Sequence, residues 1–104
     1  MDKQFDVIVV GAGNGGLAAA ANTAKAGLKT LLLEKHNIPG GCATSFRRGR
    51  FEFEPSLHEL CSVGTAEKPD KVYKIFEDLD AKVNWCYETG HLFRAIVTGE
   101  NGYD

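Results

Sequence analysis

Phe5-Asp-Val-Ile-Val-Val-Gly-Ala-Gly-Asn-Gly-Gly-Leu-Ala-Ala-Ala-Ala21 is the stretch that decides the fold. Its opening run is short, apolar and rich in β-branched residues, and glycine ends it abruptly at Gly11. A strand buried on both faces reads this way. Gly11 to Gly16 then forms a glycine-rich turn, and the alanine-dominated Leu17 to Ala26 reads as a helix, since alanine is the best helix former. Lys25 near its end and Gly27 just beyond give the usual C-terminal signature. Thr30-Leu-Leu-Leu33 is a second buried strand, closed by Glu34. Strand, glycine turn, helix and strand in this order make a βαβ unit.

Downstream, residues 37–50 read as a loop whose tight point is Pro39-Gly40-Gly41. Phe51-Glu-Phe-Glu54 alternates apolar and charged residues, which predicts a brief half-exposed strand. Pro69 suits the first turn of a helix, with Val72, Ile75, Phe76 and Leu79 on one face. Residues 83–87 and 92–97 read as two further strands. Asn101-Gly102 is a strong hairpin signal, but only Tyr103 and Asp104 follow it, so the strand it should introduce is expected to be missing. With only two parallel strands to bury, the chain reads as the front part of a larger protein.

The 104 residues are 43% hydrophobic and 25% charged, inside the ordinary range for one folded domain. Twelve basic residues against 14 acidic ones leave no global field to attract nucleic acid. Cys42, Cys61 and Cys86 form no CxxC pair, which argues against a disulfide framework or a structural zinc site and for a reducing, cytoplasmic setting. No metal is expected. Cys61 and Cys86 read as small core hydrophobes, and Trp85 and Phe93 as core aromatics. His36 and His91 are expected to face solvent. Residues 7–24 carry no charge, but four glycines and two asparagines dilute them too far for a membrane span.

The chemistry lies in Gly11-x-Gly13-x-x-Gly16. In such a turn the first glycine permits the bend, the second lets a pyrophosphate approach the backbone, and the third lets helix and strand pack closely. The helix amino terminus then offers unpaired N–H groups and a partial positive charge. Glu34, at the carboxyl end of the second strand, is placed to accept hydrogen bonds from ribose hydroxyls and to repel a 2′-phosphate. Triplet, strand, helix and carboxylate in one frame make an α/β, Rossmann-like FAD/NAD(P)-binding βαβ unit. A partial second segment of a helix and antiparallel strands follows it.

From Val7 to Gly41 the chain resembles the extended adenine-dinucleotide motif of FAD-dependent oxidoreductases, in which a glycine pair follows the acidic residue. The continuation Gly40-Gly-Cys-Ala-Thr-Ser-Phe46, with Phe51-Glu-Phe-Glu-Pro-Ser-Leu-His58, is similar to the phytoene desaturase, carotenoid isomerase and retinol saturase group. That group carries a Gly-Phe-x-Phe-Asp-x-Gly-x-His type segment; here Glu54 replaces the aspartate and Ser56 the second glycine. The resemblance covers roughly residues 5–60. It implies that residues 1–60 hold the ADP half of FAD and that residues 61–104 begin a substrate-covering domain. On this basis Gly11, Gly13 and Gly16 meet the pyrophosphate, and Ala12, Asn14 and Gly15 between them are further cofactor-binding candidates. Glu34 meets the adenosine ribose and Gly40-Gly41 form the loop near the diphosphate, with Lys35, Cys42 and Ala43 as further cofactor-binding candidates. His58 is either near the flavin ring or a packed structural residue. Cys42 stands where wider flavin amine oxidase relatives carry arginine, so Arg47, Arg48 or Arg50 is left to supply that charge.

The resemblance implies an FAD-dependent oxidoreductase acting on carbon–carbon bonds of a long apolar polyene, with catalytic residues later in the chain. An apolar small molecule and peripheral lipid contact are the expected partners. Two other readings stay open: a non-enzymatic NAD- or FAD-binding module, and a flavin amine oxidase-like enzyme fragment. An inert truncation product is a third.

Overall fold

The computed structural model describes residues 4–90, 95–99 and 102–103. Strand β1 (Val7–Val10) pairs in parallel with β2 (Thr30–Leu33), with Val7 opposite Thr30 and Val10 opposite Leu33. Helix α1 (Asn14–Lys25) crosses between them and packs on one face of the pair. Its alanines keep the helix close to the strands, and Thr30 Oγ1 donates to Thr23 Oγ1 at 3.0 Å across the helix–strand junction. Thr23 Oγ1 in turn donates to Ala19 O on its own helix. The helix leaves through Ala26, and Gly27 N bonds Ala24 O. The βαβ unit is therefore present as the sequence reads, with α1 beginning three residues earlier than expected.

Burial of this unit differs from the expectation. β1 alternates half-buried and exposed residues, with Ile8 58% and Val10 81% exposed. One face of the two-stranded sheet is covered by α1; nothing among the described residues covers the other. Ala12 and Val63 are the buried apolar residues among those described. A radius of gyration of 19.3 Å exceeds the ~13 Å of a compact chain this long, in keeping with so small a core.

Residues 37–50 are more ordered than a loop. A 3₁₀ turn spans Gly41–Ala43, and β3 (Phe46–Arg48) pairs antiparallel with β4 (Phe51–Phe53). Phe46 and Phe53 are cross-strand partners whose rings stack at 5.0 Å, and this pair closes the hairpin. The alternation at Phe51–Phe53 is thus a strand, but an exposed one rather than half-exposed. Helix α2 (Lys71–Asp78) starts after Asp70, which caps it by accepting from Lys71 N at 2.7 Å. Pro69 lies before the cap instead of in the first turn, because Asp70 fills the capping position.

The expected strand at residues 83–87 is irregular: it finds no partner strand, and Trp85 instead packs on α2. Residues 95–97 of the other expected strand are also irregular; its residues 92–94, Phe93 included, and His91 lie outside the described residues. The final hairpin does form in brief. β5 (Thr98–Gly99) pairs antiparallel with β6 (Gly102–Tyr103), so the strand expected to be missing is present as two residues. Cys61 and Cys86 are exposed, not core, because the irregular segments carrying them have little packed against them. No helix among the described residues is long and apolar enough to cross a membrane.

Candidate dinucleotide site

Three backbone segments converge beyond the carboxyl ends of β1 and β2. Gly11 N donates to Leu33 O at 2.7 Å, which extends the strand pairing into the glycine turn. Gly40 N donates to Ala12 O at 2.7 Å, and Gly13 bridges Gly40 in parallel. The glycine pair is thereby laid alongside the glycine turn as one continuous surface.

Glycine is required here by space. A Cβ on Gly16 would fall on the carbonyl oxygen of Gly11, 2.9 Å from that carbonyl's carbon and 3.6 Å from Val9 Cγ1. Helix α1 can sit this close to the turn only while residue 16 has no side chain. Gly41, at φ +60°, would place a Cβ 3.0 Å from Gly13 Cα. The two loops touch through glycine on both sides, and Thr44 Oγ1 donates to Pro39 O at 3.2 Å to brace the second one.

The amino terminus of α1 points into this convergence. Gly13 is its cap residue, no side chain caps it, and no acidic residue occupies its first turn. The amides of Asn14, Gly15 and Gly16 are first-turn donors with no acceptor inside the helix. Gly15 has open space where a Cβ would stand. This is the arrangement that receives an anion.

Glu34 is half-buried at the tip of β2 and faces the glycine turn. Its Oε2 accepts from Ala12 N at 2.6 Å and its Oε1 from His36 N at 2.9 Å. These amides, His36 first and Ala12 second, hold the carboxyl below its usual range against a smaller opposing desolvation. The group stays ionised at neutral pH. A carboxylate offers about four lone-pair sites, so acceptor capacity remains for a hydroxyl beyond that used on the backbone. His36 N was not foreseen as a partner; a turn amide two residues after a carboxylate carries no residue-specific signal. The residues present fit an adenine dinucleotide: exposed first-turn amides for a diphosphate, and a fixed anion for a sugar diol.

The remaining expected residues are placed as follows. Lys35 and Cys42 are exposed, and Ala43 is half-buried in the 3₁₀ turn. His58 is exposed, with Nε2 3.0 Å from Glu54 O. It lines a cavity of about 600 Å³ with Val63, Gly64, Trp85 and Cys86, and no residue of the glycine turn lines that cavity. Of the three arginines, Arg47 pairs with Glu52 at 3.0 Å across the hairpin, and Arg50 lies over the Phe51 ring. Arg48 lines a cavity of about 460 Å³ together with Gly41 and Cys42.

The NAD(P)-binding Rossmann-like domain family matches residues 9–79. The chain belongs to that family. The Rossmann-like chain is also similar to all-trans-retinol 13,14-reductase of Rattus norvegicus, 45% identical over 101 residues, 96% of this chain and 16% of that protein. The corresponding Homo sapiens protein is 34% identical over the same span. Phytoene desaturase of Fusarium fujikuroi is 42% identical over 80 residues, 75% of this chain and 13% of that protein. The chain thus spans about a sixth of the retinol reductases it matches. No solved structure matches it.

Proposed function

We propose that this chain binds the ADP half of FAD and serves an oxidoreductase acting on carbon–carbon bonds of a long apolar polyene. The observation that carries the reading is the Glu34 carboxylate, 2.6 Å from Ala12 N beside the uncapped end of α1. In this reading the amides of Asn14, Gly15 and Gly16 take the diphosphate, Gly11 and Gly13 allow it to approach, and Glu34, held by Ala12 N, accepts from the ribose hydroxyls. Its charge disfavours a 2′-phosphate, so FAD and NAD are preferred over NADP. Lys35 lies beside the ribose, and Gly40 to Ala43 close the loop along the diphosphate. By its place in the resembled segment, His58 is the candidate for the flavin side of the site.

FAD, when bound, supplies hydride exchange with a carbon–carbon bond. The residues described here bind and orient its nucleotide half; residues 61–104 begin the part that covers substrate. The retinol reductases, prolycopene isomerases and phytoene desaturase among the relatives support the polyene class. Free Cys42, Cys61 and Cys86 suit a reducing, cytoplasmic location, and so apolar a substrate suits peripheral lipid contact.

The family's NAD(P)-binding description favours a second reading, a nucleotide-binding module without flavin chemistry. Calorimetric titration of the purified full-length protein with FAD, NADH and NADPH separates the two. The proposal expects flavin to co-elute through gel filtration and FAD to bind tightest. Preference for NADH overturns it.

A further inference from the structure

We propose that Arg48 is the cation of the diphosphate subsite, and this rests on the dinucleotide reading above. An arginine next to the glycine pair would neutralise a diphosphate, yet that position holds Cys42, a neutral thiol. A side-chain cation for the diphosphate is therefore sought elsewhere in the fold. Three arginines sit on the following hairpin, and their surroundings differ.

Arg47 is spent on Glu52, its cross-strand partner, on one face of the hairpin. Arg50 stacks on Phe51 in the turn region. Arg48 projects from the other face, the one shared with Phe46, Phe51 and Phe53. Its guanidinium lies 4.9 Å from the centre of the Phe46 ring, and Nη1 donates to Arg47 O at 2.9 Å. These contacts hold the planar head without neutralising it, and the remaining N–H donors are available.

Location completes the argument. The cavity that Arg48 lines is bounded also by His36, Gly41, Cys42, Thr44 and Phe46, and among the described residues no carboxylate lines it. Gly41 is the shared wall: it borders this cavity and lies against Gly13 of the glycine turn. The cavity adjoins the glycine turn through Gly41 alone, and Arg48 is the arginine that lines it. Phe46 and Phe53 stack to fix the strand that presents Arg48. The hairpin is a positioning device for one guanidinium.

The test is FAD affinity of the full-length protein and its Arg48→Gln, Arg48→Lys and Arg47→Gln variants, measured at several salt concentrations. Arg48→Gln is expected to weaken FAD about tenfold or more, the scale of a charge-assisted hydrogen bond. It should also flatten the salt dependence, which a purely structural role would not alter. Arg48→Lys should fall between, keeping the charge and losing the fork. Arg47→Gln should bind as wild type. Arg48→Gln affinity within twofold of wild type, or an equal loss in Arg47→Gln, overturns the assignment while leaving the FAD reading intact. A wild-type protein that binds no FAD removes both.

Discussion

The chain is held together differently on its two sides. From residue 7 to residue 43 main chain meets main chain at the turn, through parallel strands, Gly11 on Leu33, Gly40 on Ala12, and Gly16 pressed onto Gly11, with Glu34 and Thr30 adding side-chain bonds. From residue 62 to residue 85 the backbone contributes α2 with its cap and a few hydrogen bonds, and aromatic rings do the rest. Trp85 stacks on Tyr73 at 6.3 Å and meets Phe76 edge-on at 5.5 Å. A ligand site needs donors fixed to tenths of an ångström, and backbone contact supplies that. Ring packing tolerates slippage and fixes no such donors.

The largest effect in this comparison should come from Gly16→Ala. A methyl group there displaces α1 from the turn, destabilising the fold by about 3 kcal/mol and abolishing flavin retention; thermal melting and flavin absorbance read the two. Next is Glu34→Ala, expected to weaken FAD about tenfold by titration while leaving the strands paired. Glu34 also predicts a pH response. Its folded-state value lies below the unfolded one, so its stabilising contribution is complete above the ordinary carboxylate value, about 4.3, and is lost as pH falls through the lower folded value. Melting curves against pH should show this acid-side loss in wild type, and Glu34→Gln should lack it.

Smaller effects belong to the other region. Trp85→Ala removes two aromatic contacts and should cost about 1 kcal/mol in thermal stability, with FAD affinity unchanged. A loss of FAD affinity there would erase the distinction between the regions. Asp70→Ala removes the cap of α2 and should cost about 0.5 kcal/mol, seen as a small drop in helical circular dichroism.

The same contrast governs what was legible in the sequence. The βαβ unit could be read because its constraints are local: glycines with backbone reasons, alanines with helical ones, and Glu34 fixed by strand length. The hairpin of β3 and β4 was half visible, since Phe51 to Phe53 alternates but Phe46-Arg-Arg48 does not, and the Phe46–Phe53 stack and the Arg47–Glu52 pair that join them are cross-strand contacts. Residues 83–87 have strand-like composition yet remain irregular, because strand preference is realised only beside a partner. Cys61 and Cys86 failed as core residues for a similar reason, having apolar character without elements to bury them. At the site, the residue types could be read, but not the role of His36 N or the separate fates of three adjacent arginines.

The most direct test is a crystal structure of the full-length protein with FAD. The account predicts diphosphate oxygens about 3 Å from the first-turn amides of α1 and ribose hydroxyls on the Glu34 carboxylate. A nucleotide bound elsewhere, with Glu34 closed on Ala12 and His36 alone, would contradict it.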